Sequence, residues 1–183
     1  MPCVVGICGL TGAGKTTALN ILEATINGRE IYLGKAIFDE LDRQGVDHAP
    51  ENQKRVRLEL RAGDAAAMVR RNIDQIRECI EDQQIALVDA VMSPAELDCL
   101  QYDIYCPIHL LHIDASRLVR AARLENRGKR SMTLQQVDDR DQTERQQLDI
   151  EHVFSRSTTR IVNEGSIDEL ARALADFVSR GGL

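Results

Sequence analysis

The residues with the clearest chemical potential form a glycine-rich run. Residues 9–17 read Gly-Leu-Thr-Gly-Ala-Gly-Lys-Thr-Thr, which fits the phosphate-loop (P-loop) pattern of glycine, four residues, glycine, lysine, and serine or threonine. Glycines let backbone N–H groups turn toward a polyphosphate, and the helix that follows presents its positive end to the same anion. We therefore predict that this run binds the phosphates of ATP or a similar nucleoside triphosphate.

Two side chains of the run have separate predicted tasks. Lys15 would reach the β and γ phosphates, and Thr16 would place its hydroxyl on a Mg²⁺ ion. The alternative is a glycine-rich turn without a ligand, which is disfavoured because the run follows an apolar strand pattern and opens a helical one. The predicted nucleotide-binding residues of the run are Gly9, Leu10, Thr11, Gly12, Ala13, Gly14, Lys15, Thr16 and Thr17.

A carboxylate ends a second apolar run. Residues 85–88 are continuously apolar and Asp89 follows them. Acidic residues seldom finish buried strands, and P-loop proteins hold a carboxylate on the magnesium side of their site, often through water. We predict that Asp89 serves Mg²⁺ together with Thr16, and the alternative role is the cap of a turn or a helix.

Arginines crowd residues 117–130. Several recur at three- and four-residue spacing, which places them on one helical face where like charges repel. A bound phosphate would relieve that repulsion and accept bidentate hydrogen bonds, whereas the alternative is a solvated face paired with nearby acids. The arginines concerned are Arg117, Arg120, Arg123, Arg127 and Arg130.

A mixed-charge segment follows the arginines. Its acids lack the spacing of a metal-binding loop, so we predict salt bridges on a lid rather than a metal site. The segment contains Asp138, Asp139, Arg140, Asp141 and Glu144.

Short apolar strands and amphipathic helices must position these residues. The strand patterns cover residues 4–8, 30–34, 85–88, 108–113 and 160–162, and helical periodicity fills most of the segments between them. One long helix is predicted after Asp64, with apolar residues from Val69 to Ile80 on one face. Continuously apolar strands separated by helices predict an α/β fold with a parallel sheet covered on both faces, in a single domain of residues 1–183.

The composition excludes several classes of function. A net charge of −6 argues against the broad basic surface that nucleic-acid binding requires. No apolar run approaches the roughly 18 residues that a membrane helix needs, and the first residues lack the pattern of a signal peptide. The five cysteines show no Cys-x-x-Cys pair. We expect a cytoplasmic protein whose partner is neither nucleic acid nor membrane, and the oligomeric state stays open.

Together these motifs resemble those of nucleoside monophosphate kinases of the adenylate kinase-like group, especially its archaeal dephospho-coenzyme A kinase-like and deoxynucleotide kinase-like branches. The resemblance covers nearly the whole chain. It implies a P-loop NTPase fold with a five-stranded parallel sheet flanked by helices, a helical acceptor-binding arm at about residues 35–84 and a lid at about residues 127–148. Beyond the P-loop it rests on residues 32–34, 60–61, 87–89, 114–116, 140–144 and 162–166.

The resemblance also implies roles for site residues. Closure of the lid would exclude water, so that the γ-phosphoryl group passes to an acceptor rather than to water. Asn163 and Gly165 would line the base of ATP. The residues that the resemblance makes catalytic are Lys15, Asp89, Arg123, Arg127 and Arg140.

The acceptor side departs from the family pattern at two positions. Where the family commonly reads Gly-Asp-x-x-Arg after the second strand, this chain has Phe38 in place of the arginine. Where the family reads Asp-Gly-x-Arg after the third strand, this chain has Met92 in place of the arginine. Several cations of the arm could replace them, and the sequence leaves the choice open among Lys35, Arg55, Arg57, Arg61 and Arg70.

The leading hypothesis is an ATP- and Mg²⁺-dependent phosphotransferase that acts on a small nucleotide-like acceptor, such as a nucleoside monophosphate or dephospho-coenzyme A. The rival hypothesis, motivated by Phe38 and Met92, is a nucleotide-binding switch or regulatory ATPase that has lost its acceptor site. A nucleic-acid-dependent ATPase fits poorly with the acidic charge balance and the few aromatic residues. The preference between ATP and GTP stays open.

Overall fold

The computed structural model describes residues 1–128, 131–181 and 183, so Arg130 of the predicted arginine cluster lies outside the described residues. Within them, five strands form one parallel sheet, which confirms the predicted fold class. The strands are β1 (Val4–Cys8), β2 (Gly28–Tyr32), β3 (Ile85–Asp89), β4 (Ile108–Asp114) and β5 (Thr159–Val162). Their order across the sheet is β2-β3-β1-β4-β5.

The sheet is buried on both faces. Successive side chains of a strand point to opposite faces, so Val4 and Cys8 of β1 join one hydrophobic core while Val5 and Ile7 join the other. Strand β3 alternates in the same way. Burial on both sides explains why these strands read as continuous apolar runs in the sequence.

Helices cover the two faces unequally. Helices α1 (Lys15–Thr25) and α10 (Ile167–Gly181) pack on one core. The larger core on the opposite face is built mainly from residues of the other helices and the strands. These helices are α2 (Lys35–Gln44), α3 (Pro50–Gly63), α4 (Ala67–Arg70), α5 (Ile73–Glu81), α6 (Pro94–Asp103) and α9 (Ile150–Ser155). Two further helices, α7 (Arg117–Glu125) and α8 (Leu134–Leu148), contact each other, and none of their described residues belongs to either core.

Strand β2 starts two residues earlier than the sequence pattern predicts. Gly28 pairs with Ile85, and a Cβ atom on Gly28 would lie 3.0 Å from Leu87 Cδ1. Gly34 already has helical dihedral angles and precedes α2. Glycine has no side chain to contribute to an alternating apolar and polar pattern. The hydrophobic periodicity of the sequence therefore does not mark Gly28 as the first residue of β2.

The single helix predicted after Asp64 is wrong: the structure has two helices, α4 and α5, separated at residues 71–72. The buried side chain of Asn72 donates hydrogen bonds to Met68 O (2.7 Å) and Leu33 O (3.2 Å). These bonds tie the break to the end of β2. The apolar spacing continues across the break, which is why periodicity alone predicts one helix.

Helix starts largely follow the predicted caps. Thr133 and Gln136 form a reciprocal capping box at the start of α8. Ser93 Oγ accepts from Glu96 N, but the Glu96 carboxylate accepts from Met92 N (2.7 Å) instead of closing the box. In the described part of the chain, no helix is long and apolar enough to cross a membrane.

Candidate nucleotide and acceptor site

The P-loop connects β1 to α1 and is shaped by its glycines. Gly14 precedes α1 with φ +102°, and a Cβ atom there would lie 2.3 Å from Asn163 Nδ2. Gly9 has φ +145°, and its Cβ would lie 2.2 Å from Ile113 O. Both positions therefore exclude side chains for conformational and steric reasons, and the resulting loop can present backbone N–H groups to an anion.

Lys15 folds back over this loop. Its Nζ donates to Gly9 O (2.7 Å) and to Leu10 O (3.2 Å). Burial lowers the pKa of the Lys15 ammonium, while the negative charges of Glu144 and then Asp89 oppose that shift. The lysine thus stands among carboxylates from two other elements, α8 and the end of β3.

A buried ion pair fixes the loop from the other side. The Arg120 guanidinium donates to both Asp141 oxygens (2.9 and 2.5 Å), and its NH1 also donates to Thr11 O (3.0 Å). The two side chains are 3% and 7% exposed, so the charges compensate each other away from water. Arg120 therefore positions the P-loop, and the phosphate contact considered for it from the sequence gives way to this pair.

Glu144 brings α8 to the same loop. Its Oε1 accepts from Thr11 Oγ1 (3.2 Å) and from Arg140 Nε (2.9 Å). Its Oε2 is buried, and no residue of the described ranges donates a hydrogen bond to it. The predicted salt bridges of this segment are present, with Arg140, Asp141 and Glu144 all engaged, while the role of the segment as a lid stays a prediction.

The opposite end of the loop is held by residues near β5. Asn163 is buried and its Nδ2 donates to Ala13 O (2.8 Å), and Arg123 NH1 approaches the same oxygen at 3.5 Å. Gly165 is exposed just beyond, before α10. The role of Asn163 and Gly165 at the base of ATP stays a prediction, and the hydrogen bond of Asn163 in this structure is to the loop itself.

Asp89 ends β3 beside the P-loop strand. It pairs with Ile7 of β1 on one side and with Tyr32 of β2 on the other. Burial raises the pKa of the Asp89 carboxyl, and the positive charge of Lys15 partly offsets this. The structure therefore brings Lys15 and Asp89 together at the carboxyl edge of the sheet, where ligands of open parallel sheets bind.

The other predicted metal ligand and lid residue lie at the surface. Thr16 is exposed in the first turn of α1, and Arg127 is exposed after α7. Among the described residues no three acidic, histidine or cysteine side chains are grouped as a metal site. A magnesium ion here would depend on Thr16, Asp89 and the phosphates of the nucleotide, as P-loop proteins arrange it.

Most candidate cations of the arm are already paired at the surface. Lys35 Nζ lies 2.6 Å from Asp39, Arg55 NH1 lies 2.8 Å from Glu59, and Arg70 Nε lies 2.6 Å from Asp64. Each of these side chains is at least 38% exposed. Exposed pairs of this kind stabilise little.

Two arginines of α3 differ from these. Arg61 is 17% exposed and donates from NH2 to the fully buried Glu96 (3.0 Å), whose other oxygen accepts from Met92 N. Arg57 is partly buried. Burial lowers the pKa of Arg57, and the like charges of Arg140 and Arg61 lower it further.

The apolar replacements of the family's arginines have structural roles. Phe38 packs against the larger core, with its ring 6.4 Å from Tyr32 and 5.2 Å from His48. Met92 packs against the same core. Neither supplies charge, so any positive charge on the acceptor side comes from other elements.

Sequence reasoning missed the buried role of Arg120 and Asp141. A signal was present, because Arg117 and Arg120 are three residues apart on α7 and their partners Asp138 and Asp141 are three residues apart on α8. Matched spacing of opposite charges on two segments is what two helices packed side by side produce. A cavity of about 520 Å³ lined by both pairs lies beside Leu10, and neither Lys15 nor Asp89 lines it.

Comparisons with known proteins agree with this architecture. Residues 5–149 match the family described as "AAA domain". A UPF0200 protein of Aeropyrum pernix is 26% identical over 182 residues, covering 98% of this chain and 95% of its own. A UPF0200 protein of Pyrobaculum aerophilum is 29% identical, covering 93% and 94%.

Solved kinase structures share the fold at low sequence identity. The shikimate kinase of Bacteroides thetaiotaomicron superposes with a TM-score of 0.63 at 12% identity, covering 100% of this chain and 99% of that one. A dephospho-CoA kinase of Campylobacter jejuni gives a TM-score of 0.59 at 13% identity, covering 97% and 96%. These likenesses establish the P-loop kinase-like fold.

Proposed function

This chain belongs to the AAA domain family, and from that premise we propose that it is an ATP- and Mg²⁺-dependent phosphotransferase acting on a small acceptor. The observation that carries the proposal is the convergence on Lys15 of three charged groups from two other elements. Asp89 comes from the end of β3, and Glu144 and Arg140 come from α8. Phosphoryl transfer needs such charges around the donor and a carboxylate near the acceptor.

The residues present fit a nucleoside triphosphate. Gly9 and Gly14 adopt positive φ angles where a Cβ atom would collide with Ile113 O and Asn163, which lets the loop turn its backbone N–H groups toward an anion at the positive end of α1. Lys15 would exchange its carbonyl partners for the β and γ phosphates, and Thr16 would hold Mg²⁺. When bound, magnesium offsets the charge on those phosphates.

The remaining steps belong to side chains of this chain. An acceptor oxygen forms a bond to the γ phosphorus, the bond between that phosphorus and the β,γ-bridging oxygen breaks, and this oxygen leaves on ADP with the electron pair. If the acceptor is a hydroxyl, Asp89 takes its proton; if the acceptor is an ionised phosphate, no base is needed. Lys15, Arg123, Arg127 and Arg140 would stabilise the transferring group.

A second candidate is a nucleotide-binding switch or regulatory ATPase. It is favoured by Phe38 and Met92, which pack into the core at the positions where an acceptor-binding cation was expected. This candidate predicts nucleotide binding with slow hydrolysis that added metabolites do not accelerate.

The test is ADP release from Mg-ATP across a panel of nucleoside and deoxynucleoside monophosphates, dephospho-coenzyme A and hydroxyl-bearing metabolites. Transfer should depend on one class of acceptor, and Lys15→Ala should lower it about 10³-fold, the upper range for loss of a donor that stabilises transition-state charge. Lys35→Ala is the matched control, because Lys35 is paired with Asp39 at the surface. ATP binding without acceptor-dependent release would replace the kinase with the regulatory candidate.

A further inference from the structure

A buried carboxylate of α8 binds the P-loop through one of its two oxygens. The Glu144 side chain is 6% exposed, and its Oε1 accepts from Thr11 Oγ1 (3.2 Å) and from Arg140 Nε (2.9 Å). Its Oε2 is also buried, and no described residue donates a hydrogen bond to it. A buried carboxylate oxygen without a donor is unfavourable, so the contact of Glu144 with the loop is only partly compensated.

Asp141, three residues earlier on the same helix, is fully compensated. Both of its oxygens accept from the Arg120 guanidinium, at 2.9 and 2.5 Å, and Arg120 also donates to Thr11 O (3.0 Å). Two opposite charges that satisfy each other away from water are costly to separate. The Asp141 contact therefore anchors α8 to the P-loop, whereas the Glu144 contact is the one that an anion could replace.

The groups that Glu144 engages lie beside the tip of Lys15. Lys15 Nζ donates to Gly9 O (2.7 Å) and to Leu10 O (3.2 Å), and Thr11 is the next residue of the loop. In a P-loop the backbone N–H groups hold the inner phosphates and the lysine extends to the outer ones. The terminal phosphate of a triphosphate would therefore lie at the tip of Lys15, beside Thr11.

A terminal phosphate and Glu144 would compete for the same donors. A phosphate group offers three strong acceptor oxygens, whereas Glu144 offers one to Thr11 Oγ1 and Arg140 Nε. Two negative charges cannot share a desolvated position without a large electrostatic cost. A diphosphate ends short of this position, so it would leave Glu144 in place.

We infer that Glu144 competes with the terminal phosphate of the nucleotide for Thr11 and Arg140, so that a triphosphate displaces it and a diphosphate does not. Displacement frees Arg140 for the terminal phosphate, while the buried pair of Arg120 and Asp141 keeps α8 on the loop. Glu144 is thus the residue by which α8 distinguishes the two nucleotides. This inference rests on the nucleotide binding of the proposed function and does not require transfer to an acceptor.

Calorimetric titration with Mg-ADP, and with Mg²⁺ and a non-hydrolysable ATP analogue, tests the competition. Glu144→Gln keeps the shape of the side chain and removes its charge. It should bind the triphosphate analogue about 10- to 100-fold more tightly than wild type, the range for one hydrogen bond to a charged group, and should bind Mg-ADP equally. Asp139→Asn is the matched control: it removes an exposed carboxylate of α8 that accepts from Gln135, so both dissociation constants should stay unchanged.

Tighter binding of the triphosphate analogue alone supports the inference. Unchanged or weaker binding of that analogue by Glu144→Gln, or an equal gain for Mg-ADP, would overturn it. If the melting temperature shows that Glu144→Gln does not fold, Glu144→Met, which keeps the length of the side chain without its charge, should give the same selective gain.

The acceptor panel has a separate outcome. Absence of acceptor-dependent ADP release ends the phosphotransfer proposal, and the two dissociation constants still decide the role of Glu144. Failure of wild type and of both Glu144 variants to bind any nucleotide would overturn the proposed function and this inference together.

Discussion

The two halves of the site are held in different ways. On the nucleotide side, buried groups fix the P-loop: Arg120 with Asp141 beneath Thr11, and Asn163 on Ala13. On the acceptor side, α2 and α3 carry mostly exposed ion pairs, and Arg57 stands without one among the described residues. Buried contacts therefore hold the P-loop, whereas the ion pairs of α2 and α3 lie mostly at the surface.

The sharpest test of this contrast lies at Asp89, where the halves meet. Asp89→Asn should lower kcat for a hydroxyl acceptor by about 10²- to 10⁴-fold, because a general base contributes that much, with little change in the Kd of Mg-ATP. Steady-state kinetics and nucleotide titration measure the two quantities. Asp114→Asn is the matched control, since Asp114 also ends a strand but is paired with Arg160.

The dependence on magnesium separates the two roles considered for Asp89. If Asp89 acts on the acceptor, the Mg²⁺ concentration for half-maximal rate should be the same in Asp89→Asn and wild type. A large increase in that concentration would assign Asp89 to the metal with Thr16. Equal decreases of kcat in Asp89→Asn and Asp114→Asn would contradict both the general-base role and the magnesium role of Asp89.

The next test breaks the buried support of the nucleotide side. Arg120→Ala leaves the Asp141 charge buried and unpaired, so it should lower the free energy of unfolding by about 3–5 kcal/mol. Arg117→Ala, one turn away on α7, removes an exposed pair with Asp138 and should change it little. Urea unfolding measures the free energy of unfolding of both variants. Similar decreases in Arg120→Ala and Arg117→Ala would contradict the view that the buried Arg120–Asp141 pair contributes more than the exposed Arg117–Asp138 pair.

A smaller effect is expected from a methyl group in the P-loop. Gly14→Ala places Cβ 2.3 Å from Asn163 Nδ2, and overpacking of this kind costs about 1–3 kcal/mol of stability. It should also weaken Mg-ATP binding because the loop must shift. Gly45→Ala has a similarly positive φ of +65° but nothing within 4 Å, so its binding of Mg-ATP should equal that of wild type. Calorimetry compares Mg-ATP binding by the two variants. Binding by Gly14→Ala equal to that of wild type would contradict a role of the loop at Gly14 in holding the phosphates.

The smallest effect is expected in the acceptor arm. Hydrogen bonds from Arg43 and Gln44 lower the pKa of Glu40 to about 2. This pKa lies below that of an unfolded glutamate, which is near 4.3. The hydrogen bonds to the Glu40 carboxylate therefore stabilise the fold above about pH 4.3, and this stabilisation is lost as the pH falls toward about 2. Glu40→Gln should flatten this acid decline of the melting temperature. An identical profile in Glu40→Gln and wild type would contradict the assignment.

The sequence alone determined the class of fold and the P-loop. The apolar runs at residues 4–8 and 85–88, each followed by a helical segment, predicted a parallel sheet because central strands buried on both faces are apolar throughout. The sequence predicts the P-loop because phosphate binding by this loop depends on backbone dihedral angles. The positive φ angles of Gly9 and Gly14 favour glycine, so the loop leaves a glycine pattern in the sequence. Local signals of this kind need no knowledge of distant contacts.

The tertiary structure decided which charged residues are free. Arg55 pairs with the glutamate four residues further along its own helix, but Arg61 is paired with Glu96, 35 residues further along the chain, only because folding brings the two together. Arg120 likewise read as a phosphate ligand until α8 brought Asp141 against it. The reason is physical: a charge is satisfied by whatever lies within a few ångströms, and residues separated by tens of positions become neighbours only through folding.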